Sequence, residues 1–263
     1  MFSPMKTADE ETARRKVLLY GHHGWGKTTQ MAHFQKEYGK GFIFSGESGL
    51  SSIRDANIDY LPFQSWGGKS DPDKGEYSFM DIFKWTRTED FQSKGYKWIG
   101  IDSLTELSYL SYKHVKEVEI EKAKKAGKKN EDSFAIWGGH AAQLIGACKA
   151  IRDMNMHVIV TCLAKENQNE NGEPEYWPMV DGKATMQQLP GIFDCVFGGV
   201  RVTQEDNGTQ KVLRYTVTDE YKGWHGKVRD EKRRLKPVER TGNIVELLKK
   251  LDMTDEEFEK KEA

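Results

Sequence analysis

Eight consecutive residues have the types and spacing to hold a polyphosphate: Gly21-His22-His23-Gly24-Trp25-Gly26-Lys27-Thr28 satisfies G-x-x-x-x-G-K-[ST] at every position. The glycines let the backbone curl so that its N–H groups point inward, and the start of a helix adds the positive end of its dipole. Lys27 brings a mobile cation to the β- and γ-phosphates, and the Thr28 hydroxyl suits Mg²⁺. His22, His23 and Trp25 fill variable positions. Their expected use is packing the loop, with stacking on a base as the other use of a ring there. Residues 21–29, ending in Thr29, are the candidate nucleotide-binding residues.

Two carboxylates complete the chemistry. Asp102 ends the apolar run Trp98-Ile99-Gly100-Ile101, where a carboxylate can hold magnesium's water shell; with Thr28 it forms the expected metal pair. An Asp there also caps a helix beginning near Leu104, and the two roles are compatible. Glu47 stands in Ser45-Gly46-Glu47-Ser48-Gly49, a carboxylate between two glycines. A tight loop could present it to orient or deprotonate water; on position alone a solvated loop Glu reads equally well.

The elements that position these groups follow from apolar spacing. Val17 to Tyr20 reads as a buried strand, and helical spacing runs from Thr28 to Tyr38 before Gly39 and Gly41 stop it. Further strands are expected at Phe42–Phe44, Tyr60–Phe63, Trp98–Asp102 and Val158–Leu163. Helices are expected at Phe79–Phe91, Leu104–Lys125, Ile136–Met154 and Ile244–Leu251. Val196–Val202 and Val212–Val217 read as two strands joined by a turn containing Asn207-Gly208, a strong hairpin signal. Strands alternate with helices through the first part of the chain, which implies parallel βαβ units; the hairpin adds antiparallel strands at one edge. Residues 1–15 read as a polar arm, 16–251 as one α/β domain, and 252–263 as a charged, frayed tail.

With 263 residues, 37% of them hydrophobic and 31% charged, the chain can bury one large core. A formal net charge of −1 provides no global field for nucleic acid, so any such contact must be local or shared among subunits. Cys148, Cys162 and Cys195 sit among apolar neighbours without metal-ligand spacing, which points to a reducing interior. No stretch is long and apolar enough for a membrane span, so a cytoplasmic location is expected.

The phosphate loop, Phe42-Ile43-Phe44 leading into Glu47-Ser48-Gly49-Leu50, and Ile99-Gly100-Ile101-Asp102-Ser103-Leu104-Thr105 resemble the RecA-like ATPase core. They are similar in particular to phage-borne nucleotide-binding proteins that include the Sak-type single-strand annealing ATPases. The resemblance spans roughly 17–251. It implies ATP and Mg²⁺ as cofactors, Glu47 as the residue that activates water, and a homo-oligomer with ATP at the subunit boundary. It also implies basic residues that reach the γ-phosphate from a neighbour; Lys227-Val228-Arg229 matches that pattern, and an ordinary basic turn is the alternative. One departure stands out. The strand at 158–161 continues into Cys162-Leu163-Ala164-Lys165, without the polar Gln that often ends it, so either Thr161 or Lys165 would couple ATP to DNA or the coupling would be weak.

For single-stranded DNA the resemblance points to loops in two regions: 113–129, with Lys122, Lys124, Lys125, Lys128 and Lys129, and the long polar stretch 165–188, with Tyr176, Trp177 and Lys183. A solvated helix face is the alternative for the first, since Glu117, Glu119 and Glu121 interleave the lysines. Packing of Trp177 under its own loop, stiffened by Pro174 and Pro178, is the alternative for the second. The expected function is strand annealing or homologous recombination beside a single-strand DNA-binding protein. A nucleotide-switched adaptor such as a helicase loader, and a small P-loop metabolite kinase, are the other readings.

Overall fold

The computed structural model describes residues 14–47, 49–206 and 209–262. The N-terminal arm lies outside them except for Arg14 and Arg15, as does the Asn207-Gly208 turn.

In chain order, β1 (Lys16–Gly21) leads into α1 (Thr29–Tyr38), β2 (Gly41–Ser45) and β3 (Asp59–Pro62). Two short helices follow, α2 (Phe79–Trp85) and α3 (Glu89–Ser93), then β4 (Trp98–Asp102). A helical pair, α4 (Leu104–Lys125) and α5 (Ser133–Arg152), returns the chain to β5 (His157–Gln168). Next come β6 (Pro174–Pro178), α6 (Lys183–Ile192), and the long ribbon β7 (Cys195–Asp206) and β8 (Thr209–Val217). The short strands β9 (Glu220–Tyr221), β10 (Trp224–His225), β11 (Lys227–Val228) and β12 (Val238–Glu239) precede α7 (Ile244–Asp252) and α8 (Asp255–Glu262).

The central sheet runs β12-β8-β7-β1-β5-β4-β2-β3. From β3 to β7 every neighbour is parallel; β8 and β12 extend that edge antiparallel. β1 lies at the centre and is buried along its whole length, so its residues sort by alternation onto two cores. Val17 and Leu19 pack with Met31, Phe34, Trp98 and Leu248 beneath α1 and α7. Leu18 and Tyr20 pack with Phe44, Phe79, Leu107, Leu144 and Leu189 beneath α2 and α4 to α6. The architecture is the expected one: a mostly parallel sheet between helices, with an antiparallel hairpin at one edge.

Three local expectations change. The single helix expected over 79–91 is two, because Thr88 caps a new start by accepting from Phe91 N. The long polar stretch 165–188 is not a loop: β5 runs on to Gln168, turns back as β6, and is followed by α6. The charged tail is helical, and Asp255 at its start pairs with Lys232 and Arg234.

Candidate nucleotide-binding site

The parallel strands all deliver their carboxyl ends to one edge, the position where open α/β sheets bind ligands. Gly21 ends β1 there against Gly199 of β7; a Cβ on Gly21 would meet the Gly199 carbonyl oxygen at 2.8 Å, so only glycine fits. Gly24 and Gly26 hold φ of +73° and +105°, which L side chains rarely adopt. Lys27 Nζ donates to the Gly21 and His22 carbonyls at 3.0 and 3.1 Å, along the inside of the loop. Burial lowers the Lys27 pKa, while Glu47, Cys162 and Asp102 oppose that shift.

One flank of the loop is a chain of oxygens. Thr28 Oγ1 donates to Asp102 Oδ2 at 2.8 Å, and Thr161 Oγ1 lies 2.5 Å from Asp102 Oδ1. Asp102 is 1% exposed, so these hydroxyls stand where water would otherwise solvate the charge. Thr161 thus touches the Asp102 carboxylate, whereas Lys165 is exposed on the far stretch of β5. Glu47 reaches the same place from β2. The amides of Gly46 and Glu47 donate to the Asp102 carbonyl at 2.6 and 3.2 Å, and Ser103 Oγ donates to Glu47 Oε1. A side chain on Gly46 would strike Phe63 at 2.5 Å, so the turn that presents Glu47 requires glycine. Glu106 stands close by; burial first, and then Glu47, raises its pKa.

The other flank is the β7–β8 ribbon. Trp25 is 0% exposed, lies flat on Gly199, and donates its indole N–H to the Tyr215 carbonyl at 3.1 Å. Base stacking by Trp25 is therefore excluded, and only its backbone can serve the phosphates. His22 packs edge-on against Tyr176 and Trp224, while His23 is exposed. Past Gly199 the ribbon carries Arg201 directly opposite Arg214, on the face toward the loop. Arg201 Nη1 is 3.0 Å from the position of a Cβ on Gly24, and Arg214 Nε is 3.8 Å from that of Gly26. Both are exposed, and neither has an ion pair or side-chain hydrogen bond among the described residues. Sequence reasoning missed this pair.

Lys227 and Arg229 are not brought to this edge. β11 pairs with the first residues of β7, beside Val17 and Leu18, at the opposite end of the strands from Gly21. Lys227 Nζ donates to the Pro190 and Phe193 carbonyls, and Arg229 pairs with Asp194 at 3.1 Å. Tyr176 and Trp177 are also committed: they stack on Trp224 and His225 at 4.5 and 3.8 Å between ring centroids.

The donor set fits Mg²⁺ held together with a nucleotide. Thr28 and Asp102 offer a hydroxyl and a carboxylate, the modest protein share that Mg²⁺ takes when phosphates supply the rest. Among the described residues no cluster of three His, Cys, Asp or Glu side chains could hold a metal unaided, and no helix is long and apolar enough to cross a membrane.

The chain is similar to the flagellar accessory protein FlaH from Methanocaldococcus jannaschii, at 10% identity over 77% of each chain with a TM-score of 0.37. A likeness of that size says nothing about function. No curated protein matches. A family model described as an AAA domain matches residues 13–229, which contain the phosphate loop, both carboxylates and the ribbon. The chain belongs to that AAA-domain family, and its phosphate loop is that of a nucleotide-binding P-loop ATPase domain.

Proposed function

We propose that the chain hydrolyses ATP with Mg²⁺, binds single-stranded DNA as an oligomer with ATP at the subunit boundary, and promotes strand annealing or homologous recombination. The observation that carries hydrolysis is the placement of Glu47. It is hydrogen-bonded to Ser103, one residue from the Asp102 carboxylate that accepts from Thr28. In this reading Lys27 holds the β- and γ-phosphates, Thr28 and Asp102 hold Mg²⁺, and Glu47 orients the attacking water. Bound Mg²⁺ neutralises charge on the phosphates.

DNA binding rests on the resemblance and on the surface of α4 and α5. Tyr109 and Phe134 are 55% and 92% exposed, and Trp137, which packs on Tyr112, is 43% exposed; Tyr109 and Lys113 are one helical turn apart on α4, whose last turn carries Lys122, Lys124 and Lys125. Rings and lysines in one region can stack bases and neutralise phosphates. Of the two basic residues expected to act in trans, Arg229 is the candidate, because it is solvent-exposed while Lys227 is tied to backbone carbonyls. The protein would work in the cytoplasm, in a host cell if phage-borne, beside a single-strand DNA-binding protein.

The test is the ATPase rate with and without single-stranded DNA, for the wild type and for Lys27→Ala and Phe134→Ala/Trp137→Ala. DNA should stimulate the wild type, Lys27→Ala should abolish turnover, and the aromatic pair should keep basal turnover and lose the stimulation. A DNA-indifferent rate with no DNA binding at low salt would leave an ATPase serving as a nucleotide-switched adaptor.

A further inference from the structure

Beside the phosphate loop, on the ribbon side, lies a cavity of about 470 Å³. Its walls come from three places: Gly26, Thr29 and His33; Val212 to Arg214 on β8; and Arg240 to Asn243 before α7. Its size suits a nucleoside. Gly26 and Thr29, which flank the Lys27-Thr28 pair, both line it, so a triphosphate on the loop has the cavity within reach of its nucleoside end.

The chemistry of the walls is selective. Gln30 is 1% exposed and clamps two walls together: its amide N–H₂ donates to the Gly26 and Gly242 carbonyls at 3.1 and 2.7 Å, and its Oε1 accepts from Ile244 N at 3.0 Å. Thr241 and Asn243 are likewise bonded, to Glu246 and to the first turn of α7. Both hydrogens of the Gln30 amide are therefore used within the walls, and Thr241 and Asn243 are engaged with α7. Arg214 and Arg240 differ, being exposed and without an ion pair or side-chain hydrogen bond among the described residues. The Arg214 stem lies on Gly242, where a Cβ would come within 2.8 Å of its Cδ, and its Nε faces Gly26. The guanidinium thus stands between the phosphate loop and the 240–243 loop. A guanidinium plane stacks on aromatic faces of any kind. His33 remains uncommitted; a neutral imidazole offers one donor and one acceptor, which serve either purine.

We propose that the nucleoside end of the bound triphosphate lies in this cavity with its base on the Arg214 guanidinium, so that the face of the base is recognised rather than its edge, and adenine and guanine nucleotides bind alike. The proposal rests on the reading of the phosphate loop as a triphosphate site. It adds a specificity determinant outside the motif.

The experiment compares two probes with Mg²⁺ by calorimetry, ATP and inorganic tripolyphosphate, with GTP as a third ligand. Arg214→Ala should weaken ATP and GTP by about tenfold, some 1.4 kcal/mol, and leave tripolyphosphate within about threefold of the wild type. Arg214→Lys keeps the charge without the plane; it should restore tripolyphosphate fully and leave ATP weakened by about fivefold. ATP and GTP should differ by less than about fivefold in the wild type. Equal losses for ATP and tripolyphosphate in Arg214→Ala, or no loss for ATP, would overturn the proposal. So would discrimination between the purines above about 50-fold. A wild type that binds neither ATP nor tripolyphosphate, or a Lys27→Ala that binds both as before, would instead remove the triphosphate reading beneath it.

Discussion

On one flank of the phosphate loop, Thr28, Asp102, Thr161, Ser103 and Glu47 hold one another in place; on the other, Arg201, Arg214 and Arg240 have no such partner among the described residues. The contrast separates two ways of building a charged site. A buried carboxylate must be solvated by fixed donors, so its neighbours are set by folding and its geometry is rigid before any ligand arrives. Solvent-exposed cations are solvated by water and carry no such requirement. Arg201 and Arg214 even stand as like charges directly opposite across the ribbon, an arrangement that costs stability by itself. The first flank is suited to chemistry, which needs precision; the second is suited to capture, which needs charge and a flat surface.

The largest expected effect tests that division on the carboxylate flank. Glu47→Gln should lower kcat by about 100- to 1,000-fold while ATP affinity stays within about threefold. Weaker ATP binding with an unchanged kcat would assign Glu47 to capture and break the comparison. Thr161→Val comes next. Removing a hydrogen-bonding hydroxyl beside the buried Asp102 should cost about 1–3 kcal/mol in urea unfolding. It should also raise the Mg²⁺ concentration needed for half-maximal turnover. Unchanged stability would mean that the carboxylate flank is not held by its partners. Smallest is Arg201→Ala. It should leave stability unchanged or raise it by a few tenths of a kcal/mol, and weaken ATP by less than about tenfold, with a loss that grows as ionic strength falls. A stability loss above about 1 kcal/mol would place Arg201 in the fold rather than in capture.

The two flanks were not equally legible in the sequence. Lys27, Thr28 and Asp102 stand out in the sequence because a glycine-rich motif and an apolar run ending in a carboxylate are contiguous signals. Arg201 and Arg214 lie thirteen residues apart in unremarkable strands. Counting outward from Asn207-Gly208 as a two-residue turn does put them opposite each other, but the facing of a ribbon toward another loop is set by packing, here by Trp25 on Gly199. The break between α2 and α3 was written locally: Thr88 followed by Glu89 and Asp90 is a helix start inside a helical pattern. The β5–β6 hairpin was hidden because its strands are polar outside the core and give no period-two signal. Its turn rests on Asn169 accepting from Asn171 N and Glu173 N.

Where β1 sits also sets when the site can come into being. The strand that carries the phosphate loop begins at Lys16, yet both of its neighbours arrive late, β5 from His157 and β7 from Cys195. The Tyr215 carbonyl that takes the Trp25 indole N–H comes later still. A chain growing from its amino terminus therefore makes the motif well before the strands that close it. Such long-range pairings fold slowly and leave apolar surface uncovered in the meantime. Nucleotide capture by a nascent or truncated chain should switch on only once the ribbon is complete, so the triphosphate itself becomes a reporter of the ribbon's closure.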